Sequence, residues 1–347
     1  MRYPTKTFIL GKDGEADGRQ DALAVNPDAG LYIVADGVSN SYHPETLSAL
    51  LCRMFSKASP GELLAWDEYV ADVLMPACAK AWNTEIEEYL ETLDLMERDH
   101  EEMQRERNNF GASTFCGIWI DSDGGMLRYY ICGDSTLFVR MKDGRVVEFN
   151  TAHRFTDEDG RELSDFTNRT YALSTDSGYI AAEWKIGSLS LDDVASVSLM
   201  TDGMAEWFQR ILIGGGDPYS ILWETEGDAE FAKLAKTERA RGGMDDDLAV
   251  ILINLEEQAE APHDVMEEKP MQSDENCMAI VLYNPGYVIP LIIPEKAEEE
   301  VVLKDEVEEK EIATETETAD PSLSIFRNAI DTLKRLTTFG KRKDNNS

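Results

Sequence analysis

An α+β domain, with antiparallel sheets stacked face to face under covering helices, is what the sequence predicts. Two observations carry that expectation. Strand-like apolar runs alternate with turn signals through most of residues 1–256, and the helix-periodic segments fall in one block between the early and middle strands. A doubly wound parallel sheet, which needs a crossover after each strand, fits that order less well. With 347 residues, 42% of them hydrophobic and 9% aromatic, the chain can bury a sizeable core.

Taken in order, residues 21–37 (DALAVNPDAGLYIVADG) read as two strands joined by an Asn-Pro-Asp-Ala-Gly turn. Residues 45–56 and 62–108 place apolar side chains at helical intervals, among them Leu64, Tyr69, Val73, Trp82, Ile86, Tyr89, Leu90 and Leu93. No Pro or Gly interrupts residues 77–109, so one long helix is expected there, its charge-dense end exposed. Residues 113–150 give strand, turn, strand, a Gly133-Asp134-Ser135 break, strand, an Asp143-Gly144 turn and a fourth strand. DSDGG at 121–125 opens like a calcium loop, but no Glu closes it, so a hairpin turn is expected. VASVSLMTDG and DLAVILINL are further apolar strands, and IGGGDP at 213–218 reads as a mobile loop.

Charge is uneven. Residues 256–320 hold 20 acidic side chains against 4 lysines, a net of −16 within a total of −35. A compact domain is therefore expected over 1–256, followed by an acidic, largely flexible tail over 257–320. Within the tail, an apolar stretch broken by Asn284-Pro285-Gly286 is too short for a membrane span and reads as a hairpin over 277–294, docking on a sheet edge. Residues 321–340 place Leu323, Phe326, Ile330, Leu333 and Leu336 on one helical face, with Arg327, Lys334 and Arg335 elsewhere. Such an amphipathic basic helix can dock on a partner, on this same domain or on an anionic membrane surface. Residues 341–347 are expected to be a disordered end.

The acidity argues against a grip on nucleic acid. Five scattered cysteines without a Cys-x-x-Cys pair, and four histidines without ligand spacing, argue against a disulfide frame or a zinc site. The N-terminal residues lack a signal-peptide apolar core, and a cytoplasmic location is expected.

Several apolar runs end or begin on an aspartate beside a small residue: Asp21, Asp36, Asp134, Asp202 and Asp245-Asp246-Asp247. Each break alone is a common turn. Together they suit a hard cation, because Mg2+ and Mn2+ take oxygen ligands and glycine lets a backbone carbonyl approach the ion.

The ordered series RQDALAV, IVADGVSNS, GASTFCGIWI…LRYYICGDSTLFVR, VSLMTDGMAEWF and GGMDDDLAVILI resembles the metal-dependent protein phosphatase family, type 2C, over about residues 5–256. The resemblance implies a four-layer α-β-β-α sandwich with a dinuclear Mg2+ or Mn2+ site at one edge, and a third, weakly held ion in many members. It implies hydrolysis of phosphoserine and phosphothreonine in proteins by a metal-bridging hydroxide, hence a phosphoprotein substrate and a cognate Ser/Thr kinase. Carried over, Asp36 bridges the metals, the Gly37 carbonyl binds one of them, and Asp202 and Asp246 are further ligands, with Asp245 a one-residue-shifted alternative. Asp134 matches the third-metal aspartate, and Asp21 the acid that orients a metal-bound water. Asp21, Asp36 and Asp202 are thus the candidate catalytic acids.

Three positions depart from the pattern. Gln20 stands where an acidic ligand of the second metal is usual. Ala16 replaces a phosphate-gripping Arg, leaving Arg19 and Lys12 as nearby cations, with Arg19 the candidate phosphate contact. Val38 replaces a histidine proposed as general acid in animal members, and His43 reads as a surface or helix-start residue. These departures motivate a second expectation, a catalytically weak or inactive member serving as a signalling or binding module.

Overall fold

The computed structural model describes residues 2–12, 14, 19–166, 170–176 and 182–256, and the backbone of 280–283. The chain divides into two units, Met1–Pro294 and Glu295–Ser347. Ala16, the acidic tail apart from 280–283, the terminal basic helix and the last seven residues lie outside the described residues.

Two antiparallel sheets form the centre. One has five strands in the order β12-β6-β5-β3-β2: β2 (Ala22–Asn26), β3 (Leu31–Ala35), β5 (Phe115–Asp121), β6 (Met126–Cys132) and β12 (Lys185–Ser190). The other has six in the order β1-β14-β13-β7-β8-β15: β1 (Thr5–Leu10), β7 (Thr136–Met141), β8 (Val146–Phe149), β13 (Val194–Met200), β14 (Leu248–Asn254) and β15 (Ile280–Tyr283). Two small pairs stand apart, β4 (Ala112–Ser113) with β11 (Leu173–Ser174), and β9 (His153–Thr156) with β10 (Glu162–Asp165).

The inner strands β3 and β14 are almost wholly apolar because both of their faces are covered. In β3, Leu31, Ile33 and Ala35 meet helices, whereas Tyr32 and Val34 meet the other sheet. In β14, Ala249, Ile251 and Ile253 enter the sandwich, and Leu248, Val250 and Leu252 face the opposite helical layer. Period-two alternation here sorts side chains between two cores. The five-stranded sheet is covered by α1 (Pro44–Phe55) and α4 (Met75–Thr92), which supply Leu47, Leu51, Phe55, Trp82 and Ile86. The six-stranded sheet is covered by α6 (Asp202–Ile213), α7 (Pro218–Glu224) and α8 (Gly227–Arg239), through Trp207, Phe208, Leu222 and Phe231. The result is the expected helix-sheet-sheet-helix layering. Among the described residues, no helix is long and apolar enough to cross a membrane.

The expected single helix over 77–109 is instead two. Leu93 is extended, and Asp94 caps α5 (Leu95–Arg107), accepting from the amides of Met96 at 2.9 Å and Glu97 at 3.0 Å while the Glu97 carboxylate accepts from Asp94 N. A capping box ends one helix and starts another without Pro or Gly. Before α4, the chain makes α2 (Pro60–Leu64), α3 (Trp66–Glu68) and a π-helical turn at Tyr69–Leu74. The loop expected at 213–218 is a bonded turn between α6 and α7, with the amides of Gly214, Gly215 and Gly216 donating to carbonyls of α6. Of the expected hairpin, β15 pairs with the β8 edge, Ile280 opposite Glu148, and the remainder lies outside the described residues.

Ile251 is fully buried in the sandwich on a strand paired on both sides. Ile251→Ala should lower unfolding free energy by about 2–5 kcal/mol. A denaturant titration checks this, and a loss under about 1 kcal/mol would contradict the packing described.

Candidate metal centre

Antiparallel pairing puts the start of one strand beside the end of its neighbour. Ala22 pairs with Ala35, Phe115 with Cys132, and Met200 with Val250. Asp21 precedes β2, Asp36 follows β3, Asp134 follows β6, and Thr201-Asp202 follow β13, while Asp246-Asp247 precede β14. The register therefore delivers these acids to one edge of the sandwich.

Backbone and hydroxyl contacts hold them. The Thr201 hydroxyl donates to Asp21 Oδ2 at 2.6 Å and accepts from Ala249 N at 2.9 Å. The carboxyls of Asp21 and Asp36 are near enough that each shifts the pKa of the other. Thr114 clamps Asp36, accepting from its amide at 3.0 Å and donating its own amide to the Asp36 carbonyl at 2.8 Å. Gly37 has no room for a side chain, since a Cβ there would lie 2.7 Å from that of Pro44. Asp202 opens α6, its Oδ1 accepting from Gly203 N at 2.6 Å.

The three consecutive aspartates separate in role. Asp247 accepts from the amides of Lys12 at 2.7 Å and Gln20 at 2.6 Å, tying the N-terminal segment to β14. Asp246 Oδ1 accepts from Asp247 N at 2.8 Å, and Arg239 donates to the Asp246 carbonyl. Asp245 and Asp246 are both exposed, but Asp246 lies close enough to Asp21, Asp134 and Asp202 to raise the pKa of each.

Burial, first of all, pushes Asp21 up to about 7, with repulsion from Asp247 and Asp246 added and the Thr201 hydrogen bond opposing. Burial likewise lifts Asp134 to about 6. Asp36 and Asp202 stand well above the usual carboxylate range, through burial and then neighbouring aspartates. Asp134 Oδ1 is buried without a hydrogen-bond partner. Crowded, desolvated carboxylates with an orphaned oxygen form a donor set that a divalent cation satisfies. Among the described residues, no three acid, imidazole or thiol side chains already stand in a ligating arrangement. The carboxyls bond instead to a hydroxyl and to backbone amides.

Gln20 is engaged, its Oε1 accepting from the Ser39 hydroxyl at 2.8 Å and its carbonyl from the Ser48 hydroxyl at 2.6 Å. Arg19 Nε donates to the Asp21 carbonyl at 3.2 Å, beside the cluster. His43 precedes α1 in the left-handed region, with φ 46° and Nδ1 2.6 Å from Glu45. It is a helix-start residue. Thr201 carries no signal of its own within an apolar strand motif, whereas Ser113-Thr114, whose hydroxyls can lie near the ions but which read more readily as the start of a core strand, place the Thr114 hydroxyl on the Asp36 amide.

A model of the family described as protein phosphatase 2C matches residues 14–252. No curated protein matches the sequence. Among solved structures, the serine/threonine phosphatase Stp1 from Staphylococcus aureus is 14% identical, with 73% of this chain and 95% of that one covered and a TM-score of 0.46. PppA, a regulatory component of T6SS in Pseudomonas aeruginosa, is 15% identical over 73% of this chain and 98% of its own, at a TM-score of 0.40. The catalytic domain of the phosphatase PstP, solved with 2 manganese ions, is 16% identical over 73% and 97%, also at 0.40.

Asp21 and Asp134 bind their protons more tightly folded than unfolded, from a reference of 3.8 to about 7 and about 6. The stability they contribute is present below the reference value and is lost as pH rises through the folded values. In chelator, the thermal midpoint should fall between about pH 5 and pH 7, Asp21→Asn should flatten that slope, and excess Mn2+ at pH 7 should raise the midpoint. A midpoint that climbs over this interval in chelator contradicts the electrostatics described.

Proposed function

We propose a function from one premise: this chain belongs to the protein phosphatase 2C family. It hydrolyses phosphoserine and phosphothreonine in proteins, using Mg2+ or Mn2+ at the carboxylate cluster. The observation that supports this most is that Asp21, Asp36, Asp134 and Asp202, from separate strand ends, are gathered closely enough for neighbouring aspartates to raise the pKa of each, with the exposed Asp246 at the rim adding its charge to three of them. Asp36, the Gly37 carbonyl, Asp202 and Asp246 would hold two ions, with Asp134 serving a third and the Gln20 amide standing in for a carboxylate. Divalent ions bound there supply an acidified water and neutralise phosphoryl charge.

The chain's own groups supply position. Thr114 fixes Asp36 from both sides of its backbone, so the carboxylate needs no rearrangement as charge develops. Thr201 holds Asp21 in one orientation against Asp36. Arg19, laid beside Asp21 by its bond to that carbonyl, is the cation for the phosphoryl oxygens. The substrates are phosphoproteins made by a Ser/Thr kinase, in cytoplasmic signalling.

A second reading is favoured by Gln20, which is neutral and already bonded to Ser39. In it, the ions are held too weakly for turnover and the chain binds partners instead. Hydrolysis of an aryl phosphate and of a phosphothreonine peptide with Mn2+, with and without chelator, separates the two. Metal-dependent release supports the enzyme, and none above background supports the binding module.

Asp36→Asn and Asp202→Asn should each lower kcat by at least about 100-fold while the domain stays folded. Unchanged turnover in both would remove the assignment.

A further inference from the structure

One charged side chain with no exposure at all lies where the sequence suggested nothing. Glu148 in β8 is 0% exposed, and its partners come from four places in the chain. Its Oε1 accepts from Asn150 Nδ2 at 2.8 Å and from Arg154 Nη1 of β9 at 2.9 Å, and the Ser164 hydroxyl of β10 donates to the same oxygen. Its Oε2 accepts from Gln209 Nε2 of α6 at 3.2 Å. A buried carboxylate costs much and is kept only where its partners are held with it.

The cluster reaches the aspartates by two routes. Asn150 Nδ2 also donates to Thr136 Oγ1 at 2.8 Å, and that hydroxyl donates to the Asp134 carbonyl at 2.6 Å. Gln209 lies on α6, whose first residue is Asp202. Beyond Asp134, Ser135 Oγ is 2.7 Å from Thr114 Oγ1, the hydroxyl that accepts from the amide of Asp36.

We propose that Glu148 is a positioning residue for the divalent-ion site, holding through Asn150 and Thr136 the backbone that carries Asp134, and through Gln209 the helix that starts at Asp202. The proposal rests on the metal-dependent reading above. Like-charged carboxylates spread apart unless the backbone beneath them is fixed. Glu148 fixes two of the segments involved, from a position that touches neither carboxylate. Groups that orient ligands in this way commonly set metal affinity within about 10–100-fold.

Calorimetric titration of the full-length chain with Mn2+, well below its unfolding temperature, is the test. Glu148→Gln should raise the Kd for Mn2+ by about 10–100-fold. Thr136→Val, which leaves Glu148 and its partners in place, should shift it in the same direction, and the double variant should be no worse than the weaker-binding single one. Ile86→Ala, a cavity in the opposite helical layer, should lose stability yet bind Mn2+ as the unmodified chain does, which separates positioning from general loosening. If Glu148→Gln does not fold, Thr136→Val decides alone. Unmodified affinity in either folded variant, or losses that add in the double variant, overturns the proposal. An unmodified chain that binds no Mn2+ brings down the metal reading itself; one that binds Mn2+ while the variants match it brings down this inference only.

Discussion

Mutual repulsion among desolvated carboxylates is the constraint around which this molecule is arranged. Asp21, Asp36, Asp134 and Asp202 would each be more comfortable in water or farther apart, and burial with proximity lifts all four. Only a scaffold that is stable elsewhere can hold them together. Two fully packed sheets with a helical layer on each outer face supply that stability, and the antiparallel register converts it into position at one edge. Strain at the site and close packing in the core are thus two sides of one arrangement.

Much of this was legible in the sequence. The strand runs, the turn after Asn26 and the Asp-Gly exits are local signals, and local signals survive translation into structure. The break at Leu93 carries no Pro or Gly to mark it, because it is made by the capping box of Asp94 and Glu97. Helices α6 to α8 went unremarked although Asp202 opens the first of them and Asp217 caps the second.

The site divides in the same way. Its carboxylates could be named from strand ends, and the resemblance already singled out Asp246 among the three consecutive aspartates; what the sequence does not report is that Asp247 spends both oxygens on the backbone of Lys12 and Gln20. Thr114, Thr201 and Glu148 act through partners 78, 180 and 61 residues away, and no spacing rule reports such partners. What the sequence conceals is the set of long-range bonds that turn a list of acids into a place.

The pairing of β13 with β14 has a consequence for how the chain reaches its native state. Met200 sits opposite Val250, and the Thr201 hydroxyl accepts from the amide of Ala249. A slip of one residue in β14 would exchange the side chains of its two faces, sending Leu248, Val250 and Leu252 inward and drawing Ala249, Ile251 and Ile253 out. The same slip would carry Asp246 away from Asp202. Register errors in this strand pair, whose members are separated in the chain by α6, α7 and α8, therefore damage core and site together, and any selection that enforces faithful folding preserves the chemistry at the rim as well.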